Sequence, residues 1–158
     1  MTRKLGIIGG LIAFALAIIS EISINPAEDW VIDFKIFTLA DTEVYFWGYI
    51  LNENIGFSSM LLQFPENILA LTIWISIILI GLILIMASTS KVKTLNSKLL
   101  YKISILLLCY LFILFGIIIL IQIITDITQV FYIIDLGFYL TIIVLILNII
   151  TLKLVKKE

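Results

Sequence analysis

The chain has 158 residues, of which 63% are hydrophobic and 13% charged, with a formal net charge of −1. Soluble domains are usually about 45–50% apolar and about 25% charged, so this composition indicates a membrane protein. The chain has no histidine and one cysteine, Cys109, which excludes an intrachain disulfide, a histidine–cysteine metal site and histidine-based catalysis. We therefore expect no enzyme activity, no cofactor and no nucleic-acid partner.

The first predicted element is a transmembrane helix over residues 5–22, because a bilayer core takes about 20 apolar residues and this run is free of charge up to Glu21. Arg3 and Lys4 before it also suit a cleaved signal peptide, although no small-residue cleavage motif follows. Small residues recur at helical spacing, which suits either close packing against another span or a lipid-facing surface. They are Gly6, Gly9, Gly10, Ala13 and Ala17.

Residues 23–67 form an outer loop, the one segment between spans that is long enough to make a domain. Within it, 31–39 and 42–51 are rich in β-branched and aromatic residues and partly alternate in polarity. This pattern predicts an antiparallel β-hairpin that reverses at Ala40 and Asp41.

The rest of the outer loop is predicted to be a turn over 52–56 and a short helix on the bilayer surface over 58–64. An isolated two-stranded hairpin is only marginally stable. We therefore expect it to gain a strand from the second outer loop near 130–134, to rest on the helix ends, or to pair with another chain.

Three further transmembrane helices complete a single four-span domain over residues 1–158. They are predicted at 68–88, from about 99 to 125 and from about 130 to 152, with the second outer loop at 126–135. Ionisable residues are confined to the ends of these spans, which argues against an ion or proton pathway through the bundle. Gln122 and Asn148 are expected to form hydrogen bonds between helices.

Charge separates the two sides of the predicted bundle. Nine of the ten basic residues fall on the side of the two termini, and Lys35 is the exception. The loop 23–67 carries seven acidic residues. By the positive-inside rule, the chain is an integral, multi-pass protein of the cell membrane with both termini in the cytoplasm.

The layout and several short motifs resemble the claudin superfamily, which includes the peripheral myelin protein relatives. Those proteins carry a Trp after span one and a Gly-Leu-Trp in the following strands; here Trp30 is followed by Gly48, with Trp47 before it. Residues 61–69 are similar to the family's passage from an outer helix through Leu-Pro into span two. Residues 135–139 are similar to its second loop.

The resemblance implies a membrane all-α four-helix bundle, left-handed, that carries a small extracellular antiparallel β-sheet built from both outer loops. It also implies lateral assembly and contact between neighbouring cells. The family's two loop cysteines are missing, and Glu53 and Gln63 stand roughly where they would fall. The outer sheet must therefore hold without a disulfide.

The resemblance also suggests site residues. Trp30 and Trp47 would anchor the sheet, although tryptophan is equally common in the interfacial belt of membrane proteins. Gly48 would allow a bulge or a close approach in mid-strand, or it is simply tolerated there.

The outer acidic residues Asp33, Asp41 and Glu43 would by resemblance line a passage that favours cations. The alternative is that they only solvate a loop that topology depletes of basic residues. Apolar residues of the outer helix and its approach are candidates for self-association: Phe57, Met60, Leu61 and Leu62.

We expect a protein of cell–cell adhesion or barrier formation, similar to those of tight junctions, that forms homo-oligomers among membrane lipids. The alternative is a small accessory or structural subunit of a larger membrane complex. An oxidoreductase would need a cysteine pair and a proton-coupled carrier would need buried acids, and the sequence has neither.

Overall fold

The computed structural model describes residues 2–25, 30–39, 42–51, 54–57, 66–89, 94–125 and 134–155. Over these ranges the chain forms four helices and six short strands. The helices are α1 (Thr2–Ile18), α2 (Glu66–Ser88), α3 (Thr94–Thr125) and α4 (Leu136–Val155). The strands are β1 (Glu21–Asn25), β2 (Trp30–Asp33), β3 (Phe37–Leu39), β4 (Thr42–Val44), β5 (Gly48–Leu51) and β6 (Asn54–Phe57).

Within the described residues, three helical stretches are long and apolar enough to cross a membrane: Ile68–Ser88, Leu95–Leu120 and Leu136–Val155. Helix α1 is also apolar but has only 17 residues. At 1.5 Å per residue it is about 26 Å long, less than the bilayer core of about 30 Å. It ends at Ile18, short of the predicted residue 22, because the chain continues as strand β1.

The four helices pack in a ring in which each contacts the next along the chain and α4 contacts α1. Helices α1 and α2 approach closely at Gly10, where a Cβ would lie 2.7 Å from Cγ1 of Ile85 and 3.0 Å from the carbonyl oxygen of Gly81. The five small residues of α1 that recur at helical spacing are buried: Gly6, Gly9, Gly10, Ala13 and Ala17. This confirms close packing as their role.

Polar side chains join helices at the end of the bundle away from the strands, which we call the basic end because Lys4, Lys98, Lys102 and Lys153 lie toward it. The opposite end is the sheet end.

At the basic end, Nδ2 of Asn148 on α4 donates to Oγ of Ser104 on α3 at 2.7 Å. The hydroxyls of Ser88 on α2 and Tyr101 on α3 are 2.8 Å apart. The predicted interhelical role of Asn148 is thus confirmed, whereas the side chain of Gln122 lies outside the described part of the chain.

The strands form two antiparallel sheets, a two-stranded β1–β2 and a four-stranded sheet in the order β3-β4-β5-β6. The prediction of one continuous strand over 31–39 is wrong, because β2 ends at Asp33 and pairs with β1 rather than with the next hairpin. Strands β3 and β4 pair as a hairpin across positions 40 and 41, with Leu39 opposite Thr42. The predicted reversal itself, Ala40 and Asp41, lies outside the described residues.

The prediction of one strand over 42–51 is also wrong. The chain turns back between β4 and β5, and the amide of Tyr45 donates to the carbonyl of Gly48 at 2.8 Å. Successive side chains of a strand point to opposite faces, so a straight strand could not bury Tyr45, Phe46 and Trp47 together. In the turn all three are buried.

The predicted turn over 52–56 extends too far, since the chain re-enters a strand at Asn54. The predicted helix over 58–64 lies outside the described residues. From the second outer loop, Ile134 forms a single antiparallel bridge with Phe37, and 130–133 are likewise not described.

Candidate functional site

The candidate site is the sheet end of the molecule. We call the platform the four-stranded sheet β3–β6 together with residues 34–36, which lead into it from β2. Three sets of contacts determine its position and its surface: an aromatic cluster, a backbone seam and a charged network.

An aromatic cluster fixes the platform on α3 and α4. Phe37 and Phe46 of the platform both pack edge-on against Phe115 of α3, with ring centroids 5.4 and 5.9 Å apart. Phe138 of α4 lies 6.0 Å from Phe37 and 5.9 Å from Phe115, and Phe112 of α3 packs edge-on against Phe138 at 5.8 Å. Such pairs contribute about 0.5–1.5 kcal/mol each beyond the burial of their area. The platform therefore cannot tilt freely on the bundle.

A backbone seam joins the platform to the start of α4. The amides of Asp135 and Gly137 donate to the carbonyls of Ile36 and Lys35 at 3.1 and 2.8 Å. The hydroxyl of Thr38 donates to Oδ2 of Asp135 at 2.6 Å. Gly137 has no room for a side chain, because a Cβ there would collide with the carbonyl oxygen of Phe34 and lie 2.8 Å from that of Lys35.

A charged network lies on the platform beside this seam. Nζ of Lys35 is 3.1 Å from a carboxylate oxygen of Asp33 and 3.1 Å from one of Glu43. The hydroxyl of Tyr45 lies 3.0 Å from the other oxygen of Asp33 and 3.1 Å from the other oxygen of Glu43. Lys35 donates to both carboxylates, whereas the single proton of the Tyr45 hydroxyl can go to only one of them at a time.

The network shifts two pKa values. Burial lowers the pKa of Lys35, but its hydrogen bonds and charge contacts with Asp33 and Glu43 raise it by more, so the net pKa lies above the ordinary 10.5. Burial and then the charge and hydrogen bond of Asp33 raise the pKa of Tyr45 well above its ordinary value. At neutral pH Lys35 is therefore an ammonium and Tyr45 a neutral phenol, and the formal charges of the four side chains sum to one negative.

The ring of Tyr45 stacks on Trp47 with centroids 5.2 Å apart and planes at 16°, so the polar network lies beside a buried indole. Among the residues that the structure describes, no group of three histidine, cysteine, aspartate or glutamate side chains is placed to hold a metal ion.

The three predicted anchors fall in different places. Trp47 lies in the turn between β4 and β5 and is 9% exposed. Gly48 follows it as the first residue of β5, opposite Phe57. Trp30 begins β2 opposite Asn25, in the other sheet, so the structure does not bring the two tryptophans into one sheet.

Two of the three predicted acidic residues, Asp33 and Glu43, meet on Lys35. Asp41 lies outside the described residues. Of the candidate self-association residues, Phe57 ends β6 at the edge of the four-stranded sheet, and Met60, Leu61 and Leu62 lie in the part of the chain that is not described.

Sequence reasoning missed the side chains that hold the platform in place. Lys35 was seen only as the basic exception, and Tyr45 and Phe46 as strand residues. The signal available was the run Tyr45-Phe46-Trp47, since three adjacent aromatic residues do not suit a strand with one buried face. Gly137 belongs to a motif that supported the claudin resemblance, but its steric role was not deduced.

Comparisons with known proteins find no matching family model, no matching curated protein and no matching solved structure.

Proposed function

We propose that this chain is a non-enzymatic four-span membrane protein of cell–cell adhesion or barrier formation, similar in its action to claudins. In this proposal α1 crosses the membrane together with α2, α3 and α4. The basic end and both termini then face the cytoplasm, and the platform faces outward. Two copies associate through the platform, either side by side in one membrane or across the gap between two cells.

The observation that carries the proposal is the asymmetry of the platform's two edges. The β3 edge is bridged by Ile134 and held by the seam to α4. Among the described residues, no strand pairs with the outer edge of β6. An open strand edge presents unpaired backbone N–H and C=O groups, which readily pair with a strand of another chain.

The register shows which backbone groups point outward. Leu51 and Asn54 close a two-residue connection, so they form a hydrogen-bonded pair, and the pairs alternate from there along the hairpin. Ile55 is then in a non-hydrogen-bonded pair with Ile50, and its N–H and C=O point away from β5 toward the open edge.

The charge of the platform adds a selectivity proposal. The network of Asp33, Glu43 and Lys35 keeps one net negative charge, and the outer loop as a whole is acidic. A narrow gap lined by two such surfaces would concentrate cations and repel anions.

A cell-aggregation assay tests the proposal. Non-adherent cells that express the chain should aggregate, and Ile55→Pro should abolish aggregation, because proline removes an outward N–H without breaking the β5–β6 ladder. The matched control Ile55→Val keeps that N–H and should aggregate like the unmodified chain at equal surface expression.

Two results would overturn the adhesion proposal. One is a failure of the unmodified chain to aggregate cells together with a strictly monomeric particle in mild detergent. The other is co-purification of a fixed set of different subunits from native membranes, which would favour the accessory-subunit role.

A further inference from the structure

The β1–β2 hairpin has one wholly apolar face that no part of the four-stranded sheet covers. On this face Ile22 pairs with Ile32 across the strands, and Ile24 lies at the adjoining β-bulge of β1, where the register shifts. Their side chains are 44%, 37% and 58% exposed, respectively. An isolated two-stranded hairpin is marginal in water, and exposed isoleucine on it is unfavourable there.

The depth of the hairpin follows from a hydrogen bond between two helices. Nε1 of Trp74 on α2 donates to the carbonyl of Ala17, in the last turn of α1, at 2.8 Å. Trp74 is six residues inside the apolar stretch that begins at Ile68, which is about 9 Å at 1.5 Å per residue. Because the indole leans toward the N-terminus of α2, the last turn of α1 lies at most about 9 Å below the level at which α2 leaves the apolar part of the bilayer.

Strand β1 starts from this depth. Ile18, the last residue of α1, is 70% exposed on the lipid-facing surface, and β1 begins three residues later at Glu21. The amide of Ile19 still donates to the carbonyl of Ala15 at 2.8 Å and the chain bends at Ser20, so β1 begins close to the end of α1. The apolar face of the hairpin therefore begins beside the exposed end of α1, near the level at which α2 leaves the apolar part of the bilayer.

We propose that the apolar face of the β1–β2 hairpin is immersed in the lipid leaflet on the sheet side, at the boundary between acyl chains and headgroups. The opposite face, which carries Glu21 and Ser23, points to water. The strand edges remain within reach of headgroups and water, which supply the hydrogen bonds that the hydrocarbon core cannot. Through the bond from the amide of Phe34 to the carbonyl of Ser20, at 2.8 Å, the hairpin would also fix the height of the platform above the membrane.

Site-directed spin labelling tests this proposal on the full-length chain. A Cys109→Ala background removes the one native thiol, and single labels are attached through Ile22→Cys, Ile24→Cys and Ile32→Cys. Ser23→Cys and Val31→Cys are the matched controls, since both positions are exposed and lie on the opposite face of the same two strands. All five side chains are at least partly solvent-accessible, so no label replaces a packed core residue.

The labelled proteins are placed as single copies in phosphatidylcholine nanodiscs. Collisions with oxygen, which concentrates in lipid, are then compared with collisions with a water-soluble nickel complex. We expect the oxygen-to-nickel ratio to be several-fold higher at positions 22, 24 and 32 than at 23 and 31. If the labels on β1 and the label on β2 give the same high ratio, the two strands report the immersion of the face independently.

Equal nickel accessibility on both faces would overturn the proposal. So would an apolar face that is open to nickel in single-copy discs and shielded only in discs that hold two copies, because the occupant would then be a second chain. The proposal depends on the helices crossing a membrane and not on adhesion. Cells can therefore fail to aggregate while the labels still report an immersed hairpin. Cells can equally aggregate while the labels report a hairpin in water.

Discussion

Gly137→Ala is expected to loosen the platform from the bundle. Gly137 is the second residue of α4, and a Cβ there would collide with the backbone of Phe34 and Lys35 rather than with a side chain that can move away. Relief of this collision requires the start of α4 to separate from residues 34–36. The amide bonds of Asp135 and Gly137 to the platform would then break.

The structure allows the size of the effect to be worked out. Two backbone hydrogen bonds contribute about 1 kcal/mol each, and the bond from Thr38 to the Asp135 carboxylate contributes about 1.5–3 kcal/mol. The sum of these contributions is an upper limit on the lost free energy, because a partial shift of α4 could keep some of the bonds. Alanine also restricts the unfolded chain, which offsets about 0.4–1 kcal/mol. We therefore expect the free energy that holds the platform closed to fall by about 2–4 kcal/mol.

Amide hydrogen exchange in detergent or nanodiscs measures this opening directly. Because about 1.4 kcal/mol corresponds to a factor of ten, the amides of Asp135 and Gly137 should exchange more than tenfold faster in the variant. Gly116→Ala is the matched control, since a Cβ at this helical position would meet no described atom within 4 Å. That substitution should be neutral or stabilise α3 by up to about 1 kcal/mol. Unchanged protection in Gly137→Ala would refute the steric account of the seam.

Three other changes probe the rest of the structure. Phe115→Ala should lower the stability of the fold by about 3–5 kcal/mol because it opens the aromatic cluster. Ile113 on the same helix is 64% exposed, so Ile113→Ala should lower the stability far less. Thermal unfolding in detergent compares the two variants. The raised pKa values of Lys35 and Tyr45 mean that the charged network stabilises the platform fully below about pH 10 and loses this contribution as pH rises past the ordinary values of 10.5 and 10.0. The protection factors of the platform amides, which correct for the base catalysis of exchange itself, should therefore fall in that range, and they should fall less steeply in Tyr45→Phe. Asn148→Leu should change stability by no more than about 1–2 kcal/mol, the worth of an interhelical hydrogen bond, whereas Asn148→Asp should be strongly destabilising at neutral pH because it buries a charge.

Each of these predictions has an outcome that contradicts it. Equal losses from the two α3 variants would mean that the aromatic cluster does not hold the platform. A pH profile that Tyr45→Phe leaves unchanged would remove the network from the stability of the platform. Similar stabilities of the two Asn148 variants would contradict the burial of that side chain.

Much of the helical architecture follows from local composition. A run of apolar residues in lipid must satisfy its own backbone, so helices α2, α3 and α4 could be located from hydropathy alone. The charge asymmetry and the strand-forming character of the outer loop likewise follow from residue type alone. The small residues of α1 were recognised as a possible packing surface, but only the approach of Gly10 to Gly81 decides between that role and a lipid-facing one.

The strands show where local patterns stop being sufficient. Residue type indicates that 42–51 favours extended structure. The chain instead turns at Tyr45–Trp47, because Phe46 packs against Phe115, a residue 69 positions away. The burial of three adjacent rings stabilises this turn more than a straight strand would be stabilised. In the same way, the acidic pair Asp33 and Glu43 looked like free surface charge until the fold placed both on Lys35. Hydropathy and charge by themselves determined the class of protein and its helices. The breaks in the strands, the seam at Gly137 and the pairing of two carboxylates with Lys35 depend on contacts between distant parts of the chain, and only the tertiary structure supplies those.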